Sequence, residues 1–155
     1  MIKGKIRVAI IGTGRISDLH AIEYLHNPDT EIVALCDSDI DLAKTRAKKW
    51  GCSNSVKIEK DIDKVLADSD VDMVELLLPH HLHLPEALKS IEAGKIISLQ
   101  KPMCLNLEEA DKLVNAVKGH DKPFKVFENF IFYPPVVKAK ELVDEGAIGK
   151  PLSIR

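Results

Sequence analysis

Three short stretches of this chain carry residue types whose spacing points to chemistry. The first is Val8-Ala9-Ile10-Ile11-Gly12-Thr13-Gly14-Arg15-Ile16-Ser17, an apolar β-branched run entering G-x-G-x-x-S. Gly12 permits a tight strand-to-helix turn, and Gly14, without a side chain, lets a pyrophosphate approach the backbone at a helix N-terminus. Ser17 stands where a third glycine usually does and is small enough for close helix–strand packing. Alone, the loop also reads as a plain tight turn. Asp37, 23 residues after Gly14, closes the second apolar run. A carboxylate there can accept hydrogen bonds from ribose hydroxyls and repels a 2′-phosphate. Ser38-Asp39 follows it rather than an arginine, so NAD is expected over NADP. Asp37 as a cap of the next helix and an S-adenosylmethionine site are the competing readings. The latter more often has an acid just before the loop, where this chain has Ile10-Ile11.

The other two stretches end later apolar runs. His80, His81 and His83 follow Leu76-Leu77-Leu78-Pro79. No second His, Cys or carboxylate cluster has matching metal-ligand spacing, and one short segment aims three histidines at a single ion with difficulty, so no metal is expected. Gln100-Lys101-Pro102 ends the following run. Lys101 is either a surface charge or an ammonium aimed into a ligand crevice, where it could orient a substrate hydroxyl or share its proton.

These residues need a sheet whose strand ends converge. Apolar runs at 6–11, 31–36, 72–77, 95–99 and 124–127, with a weaker one at 55–58, alternate with helical periods at 16–26, 39–50, 62–67, 81–93 and 107–118. This predicts a doubly wound α/β fold with a parallel sheet covered on both faces. Gly51 and Gly94 mark helix ends, and Asn106 with Glu109 an N-cap pair. Pro134-Pro135 open a further helix to Glu145, stopped by Gly146, and a strand is expected to begin within 149–155.

Composition closes off other classes. The 155 residues carry a formal charge of -2, with 45% hydrophobic and 30% charged residues. That balance offers no general electrostatic footprint for nucleic acid. No apolar run reaches the roughly 18 residues of a membrane span, and Val8–Ile11 is too short for a signal-peptide core. Three scattered cysteines, Cys36, Cys52 and Cys104, fit a reducing cytoplasm.

Taken together, the motifs resemble the Gfo/Idh/MocA family of oxidoreductases. The resemblance runs through Gly12-Gly14, Asp37, Pro79-His80-His81-Leu82-His83, Ala93-Gly94-Lys95 and Gln100-Lys101-Pro102 to Gly146–Pro151. It implies a Rossmann NAD(P)-binding domain over 1–130. Residues 131–155 would lead as helix and strand towards a second domain that is absent here, with its substrate sheet, oligomer interface and further catalytic Asp and His. It implies hydride transfer between nicotinamide and a sugar, cyclitol or related polyol. It also implies Lys101 as the catalytic lysine at the substrate hydroxyl, and Thr13, Arg15 and Ile16 in the pyrophosphate loop. Leu78, Pro79, His80 and His83 would line the nicotinamide, and Gln100 would lie by its ribose. Gln100 replaces the family's common Glu, His80 its common Asn, and Ile131 a frequent Arg. The expectation is a piece that binds NAD but does not turn over substrate alone. A non-catalytic NAD-sensing or scaffold module, and an NAD-dependent glycoside-cleaving enzyme, are the alternatives.

Overall fold

The computed structural model describes residues 4–128 and 130–153, excluding the side chain of Ile131. In chain order the elements are β1 (Ile6–Ile11), α1 (Ser17–His26), β2 (Thr30–Cys36), α2 (Ile40–Lys49), β3 (Lys57–Glu59), α3 (Ile62–Ala67) and β4 (Met73–Leu76). A 3₁₀ turn (His80–Leu82) leads to α4 (His83–Glu92), β5 (Ile96–Gln100), α5 (Leu107–Lys118) and β6 (Phe124–Phe127). A second 3₁₀ turn (Phe130–Phe132) precedes α6 (Pro134–Asp144).

The strands form one sheet in the order β3-β2-β1-β4-β5-β6, with every described pairing parallel. This is the doubly wound Rossmann order, which reverses direction between β1 and β4. Each face of the sheet builds its own core. Ala9, Ile11, Val74, Leu76, Ile97 and Leu99 meet Val65, Leu66, Ala87 and Leu113 on one side. Ile10, Ile32 and Leu35 meet Ala21, Ala43 and Ala47 of α1 and α2 on the other. Small residues on the second side let both helices lie close to the strands.

The β1–β2 register slips between Val8 and Ala9, whose partners are Ile32 and Ala34. Val33 is the extra residue of a β-bulge, so Val33 and Ala34 both face the first core while Ile32 and Leu35 face the second. Strict alternation would have put Ala34 beside Ile32. Beyond the bulge Cys36 is level with Ile11, and Ile11 with Leu76, so Gly12, Asp37 and Leu77 emerge together at one sheet edge.

Helix ends follow the expected chemistry. Asn106 Oδ1 accepts the Glu109 N–H at 2.9 Å, and Glu109 Oε2 accepts the Leu105 N–H at 3.0 Å. That reciprocal arrangement satisfies donors the first turn of α5 leaves free. Asp39 caps α2 through the N–H groups of Asp41 and Leu42. The strand expected within 149–155 does not form over residues 151–153, and residues 154 and 155 lie outside the described residues. Among the described residues, no helix is long and apolar enough to cross a membrane.

Candidate dinucleotide site

Gly12 is forced by its surroundings. It has φ +92°, and a Cβ here would stand 2.4 Å from the Leu77 carbonyl oxygen, inside its van der Waals surface. Gly14 differs: a Cβ there meets nothing within 4 Å, leaving open space over the loop. Ser17, in the third position of the motif, is buried and donates its hydroxyl to the Gly14 carbonyl at 2.6 Å, closing the turn.

Thr13 and Asp37 hold the loop to β2. Asp37 Oδ2 accepts both the Thr13 N–H (2.7 Å) and the Thr13 hydroxyl (2.8 Å), while Oδ1 accepts the Asp39 N–H at 2.9 Å. Burial opposes ionisation of Asp37, but these donors outweigh it and hold the carboxyl below its ordinary range. Thr13, expected at the pyrophosphate, is fully buried with its N–H and hydroxyl already engaged. It is a fastener of the loop rather than a ligand donor. The Gly12 N–H is likewise taken by the Cys36 carbonyl. Among the described residues no protein acceptor takes the N–H groups of Gly14, Arg15 or Ile16. Those three donors at the start of α1 are what the loop can offer an anion.

Sequence reasoning missed the partner that steadies the loop from α2. Arg46 Nε donates to the Thr13 carbonyl at 3.0 Å, and its other arm reaches Asp18 of α1 at 2.9 Å. Asp18 also accepts from Trp50 Nε1 and pairs with Lys49. One arginine in a lysine-rich amphipathic helix carries no sequence signal for this role.

Two crevices flank the loop and share Leu77 and Leu78 as a common wall. One, of about 570 Å³, is lined by Gly12, Gly14, Asp37, Ser38, Pro79 and Glu86, among others. The Cys36 thiol on its wall is pushed up to about 12, first by burial and then by the charges of Asp37, Asp61, Glu59 and Glu86. Asp37, Glu86 and Lys60 are the charged residues on this wall. The other crevice, of about 760 Å³, is lined by Ile16, His20, Tyr24, His80, Gln100 and Lys101, with Phe127 at its edge.

The turn residues divide. Leu78, Pro79 and His80 line the crevices. His83 does not: it is wholly buried, and its ring nitrogens lie 2.7 Å from the Pro102 carbonyl and 2.9 Å from the Leu78 carbonyl. The expectation that it touches the nicotinamide gives way to that of a brace tying the end of β4 to the Lys101-Pro102 segment, whose peptide is cis. Lys101 is exposed at the mouth of the larger crevice, with no ion pair among the described residues. Ile131, where a contact was in question, has its side chain outside the described residues. Among the described residues no group of three or more His, Cys, Asp or Glu could hold a metal ion.

Beneath the larger crevice lies a group that sequence reasoning also missed. Glu75, in the middle of β4 between Ile10 and Ser98, is fully buried. It accepts a short hydrogen bond from the Tyr24 hydroxyl and lies 3.0 Å from His20 Nδ1. Burial, followed by the Glu75 charge and hydrogen bond, raises the Tyr24 phenol. A buried carboxylate costs several kcal/mol unless paired, so its place in a central strand needs a reason.

Comparison with known proteins agrees with this geometry. Residues 6–128 match the model of the Gfo/Idh/MocA family, described as an oxidoreductase family with an NAD-binding Rossmann fold. A levoglucosan dehydrogenase of Pseudarthrobacter phenanthrenivorans is 31% identical over 97% of this chain and 40% of its own length. An inositol 2-dehydrogenase of Rhizobium meliloti is 28% identical over 94% of this chain and 42% of its own. The fold is shared with the crystal structure of apo scyllo-inositol dehydrogenase from Lactobacillus casei, at TM-score 0.85 and 24% identity, over 97% of this chain and 44% of that one. The chain thus spans less than half the length of these relatives. With its strand order, glycine loop and paired crevices, it belongs to the Gfo/Idh/MocA oxidoreductases, whose matched region is the NAD-binding Rossmann fold.

Proposed function

We propose that this chain is the nucleotide-binding half of an NAD-dependent dehydrogenase acting on a sugar, cyclitol or related polyol. The observation that carries this reading is the row of N–H groups at Gly14, Arg15 and Ile16 that meet no acceptor among the described residues, placed between two crevices that meet at Leu77 and Leu78. Those donors suit a pyrophosphate. Asp37 Oδ1, which accepts the Asp39 N–H at 2.9 Å and the Ser38 hydroxyl at a longer 3.4 Å, suits an adenosine ribose hydroxyl. The Asp37 carboxylate in this crevice opposes a 2′-phosphate, which supports NAD over NADP. Leu78, Pro79 and His80 would exclude water from the nicotinamide, and Gln100 would border its ribose.

When bound, the nicotinamide supplies a hydride acceptor at C4. Lys101 would meet the substrate hydroxyl and assist loss of its proton as the carbinol carbon gives up hydride. One lysine does not orient a polyol, so residues 1–130 act as the cofactor domain and 131–155 lead towards substrate-binding structure. Sugar or polyol substrates are supported by the names of the relatives, and a second domain by their greater length. The protein is expected in the cytoplasm.

Isothermal calorimetry of the 155-residue chain with NAD and NADP tests the reading. NAD is expected to bind, and NADP more weakly. No binding of either overturns the cofactor assignment, and equal or tighter NADP binding overturns the preference. Polyol turnover by this chain alone would overturn the need for further structure.

A further inference from the structure

Glu75, His20 and Gln100 form a chain of polar contacts from inside the sheet to Lys101, and its direction can be worked out from donors and acceptors. Gln100 Oε1 accepts the Lys101 backbone N–H at 2.8 Å. The amide nitrogen of Gln100 therefore faces His20 Nε2, 2.9 Å away, and donates to it. A ring nitrogen that accepts carries no proton, so the His20 proton sits on Nδ1, the atom facing Glu75. Glu75 Oε1 lies 3.0 Å from Nδ1 but off the axis of its N–H, and it has no aligned hydrogen bond among the described residues. Its contact with His20 is thus a close charge–dipole approach, while Oε2 takes the Tyr24 hydroxyl. Phe127 packs its ring 4.7 Å from that of His20, and both line the crevice.

We propose that Glu75 is a positioning residue whose buried carboxylate keeps the His20 proton on Nδ1 and thereby sets Gln100 and the Lys101 backbone at the crevice. Without a negative charge behind Nδ1, the two neutral forms of His20 differ little in energy. The form protonated on Nε2 would confront the Gln100 amide with a second donor. Gln100 would then turn its oxygen to His20 and release the Lys101 N–H. The inverse exchange is equally constrained: a carboxylate at position 100 as well as 75 would leave His20 between two acceptors, and Nε2 would no longer meet a donor. Among the described residues, Tyr24, Glu23, His80 and Lys101 line the same crevice as His20, and the Lys125 ammonium lies 5.8 Å from the Phe127 ring centre. The consequence for catalysis rests on the role proposed for Lys101, but the tautomer and the Lys101 amide can be read without cofactor or substrate.

The test is long-range ¹H–¹⁵N spectroscopy of the histidines in the labelled 155-residue chain, with amide exchange at Lys101, between about pH 6 and 8. The wild-type chain is expected to show His20 protonated on Nδ1 and bare on Nε2. In Glu75→Gln that pattern should mix or reverse, and Lys101 amide protection should fall by about tenfold. In Gln100→Glu, the acceptor now facing Nε2 should draw a ring proton onto that nitrogen. Wild-type His20 protonated on Nε2 would overturn the proposal. So would Glu75→Gln that keeps both the nitrogen pattern and the protection, or Gln100→Glu whose Nε2 remains bare. Should Glu75→Gln fail to fold, Gln100→Glu decides by itself, because residue 100 is at the crevice edge and its substitution leaves the buried carboxylate in place. Loss of NAD binding with these signatures intact would instead count against the proposed function.

Discussion

At the scale of single residues, the two loop glycines have different jobs and should fail differently. Gly12→Ala combines a left-handed backbone, worth about 1–2 kcal/mol, with a Cβ driven into the Leu77 carbonyl. It should lower stability by more than that strain alone, read as a fall in the urea midpoint. Gly14→Ala meets no protein atom and sits at an ordinary φ, so stability should change by less than about 1 kcal/mol. Its Cβ occupies the space proposed for the pyrophosphate, so NAD affinity should fall sharply in calorimetry. Asp37 adds a pH signature. Its folded-state carboxyl is held below the ordinary range by Asp39 and Thr13, so its contribution is present above about pH 4 and is lost as pH falls through the depressed value. Asp37→Asn should flatten the acid limb of a urea-midpoint profile and leave the alkaline limb unchanged.

At the scale of elements, most boundaries were legible because periodicity and punctuation agree. Asn106 and Glu109 announced α5, Gly51 and Gly94 take positive φ where α2 and α4 end, and β1 and β6 run where their apolar residues do. The bulge at Val33 was not legible, since its neighbours are apolar on both sides and no period distinguishes which faces which core. Nor was the brace between α1, α2 and the glycine loop, because Asp18, Arg46 and Trp50 meet only after the helices pack. Arg46→Met keeps the stem but removes two hydrogen bonds, one of them to a carboxylate. A loss of about 1–3 kcal/mol is expected by urea unfolding, with weaker NAD binding as Thr13 loosens.

At the scale of the molecule, the fold turns a line of separate motifs into one edge. The β1–β4 reversal opens the sheet where Gly12, Asp37, Leu77 and Gln100 leave their strands. A ligand bound there contacts segments from the whole length of the Rossmann domain and is available only to the folded state. NAD at a hundred times its dissociation constant should therefore stabilise the chain by about 2.7 kcal/mol, raising the thermal midpoint in a concentration-dependent way. A midpoint indifferent to NAD would contradict the proposed binding.

The sequence by itself determined the fold class, the glycine loop and the acid at its partner strand, because each is written in a local pattern of residue type and spacing, while spacing left Lys101 open between a surface charge and a crevice ammonium. Tertiary structure alone decided which groups remain free to act. Thr13 and His83 carry polar atoms suited to a ligand, yet packing has already assigned those atoms to Asp37 and to two backbone carbonyls. Glu75 looks like a misplaced charge in an apolar strand until α1 brings His20 and Tyr24 against it. Hydrogen-bond capacity is spent between residues far apart in sequence, and no local pattern records where.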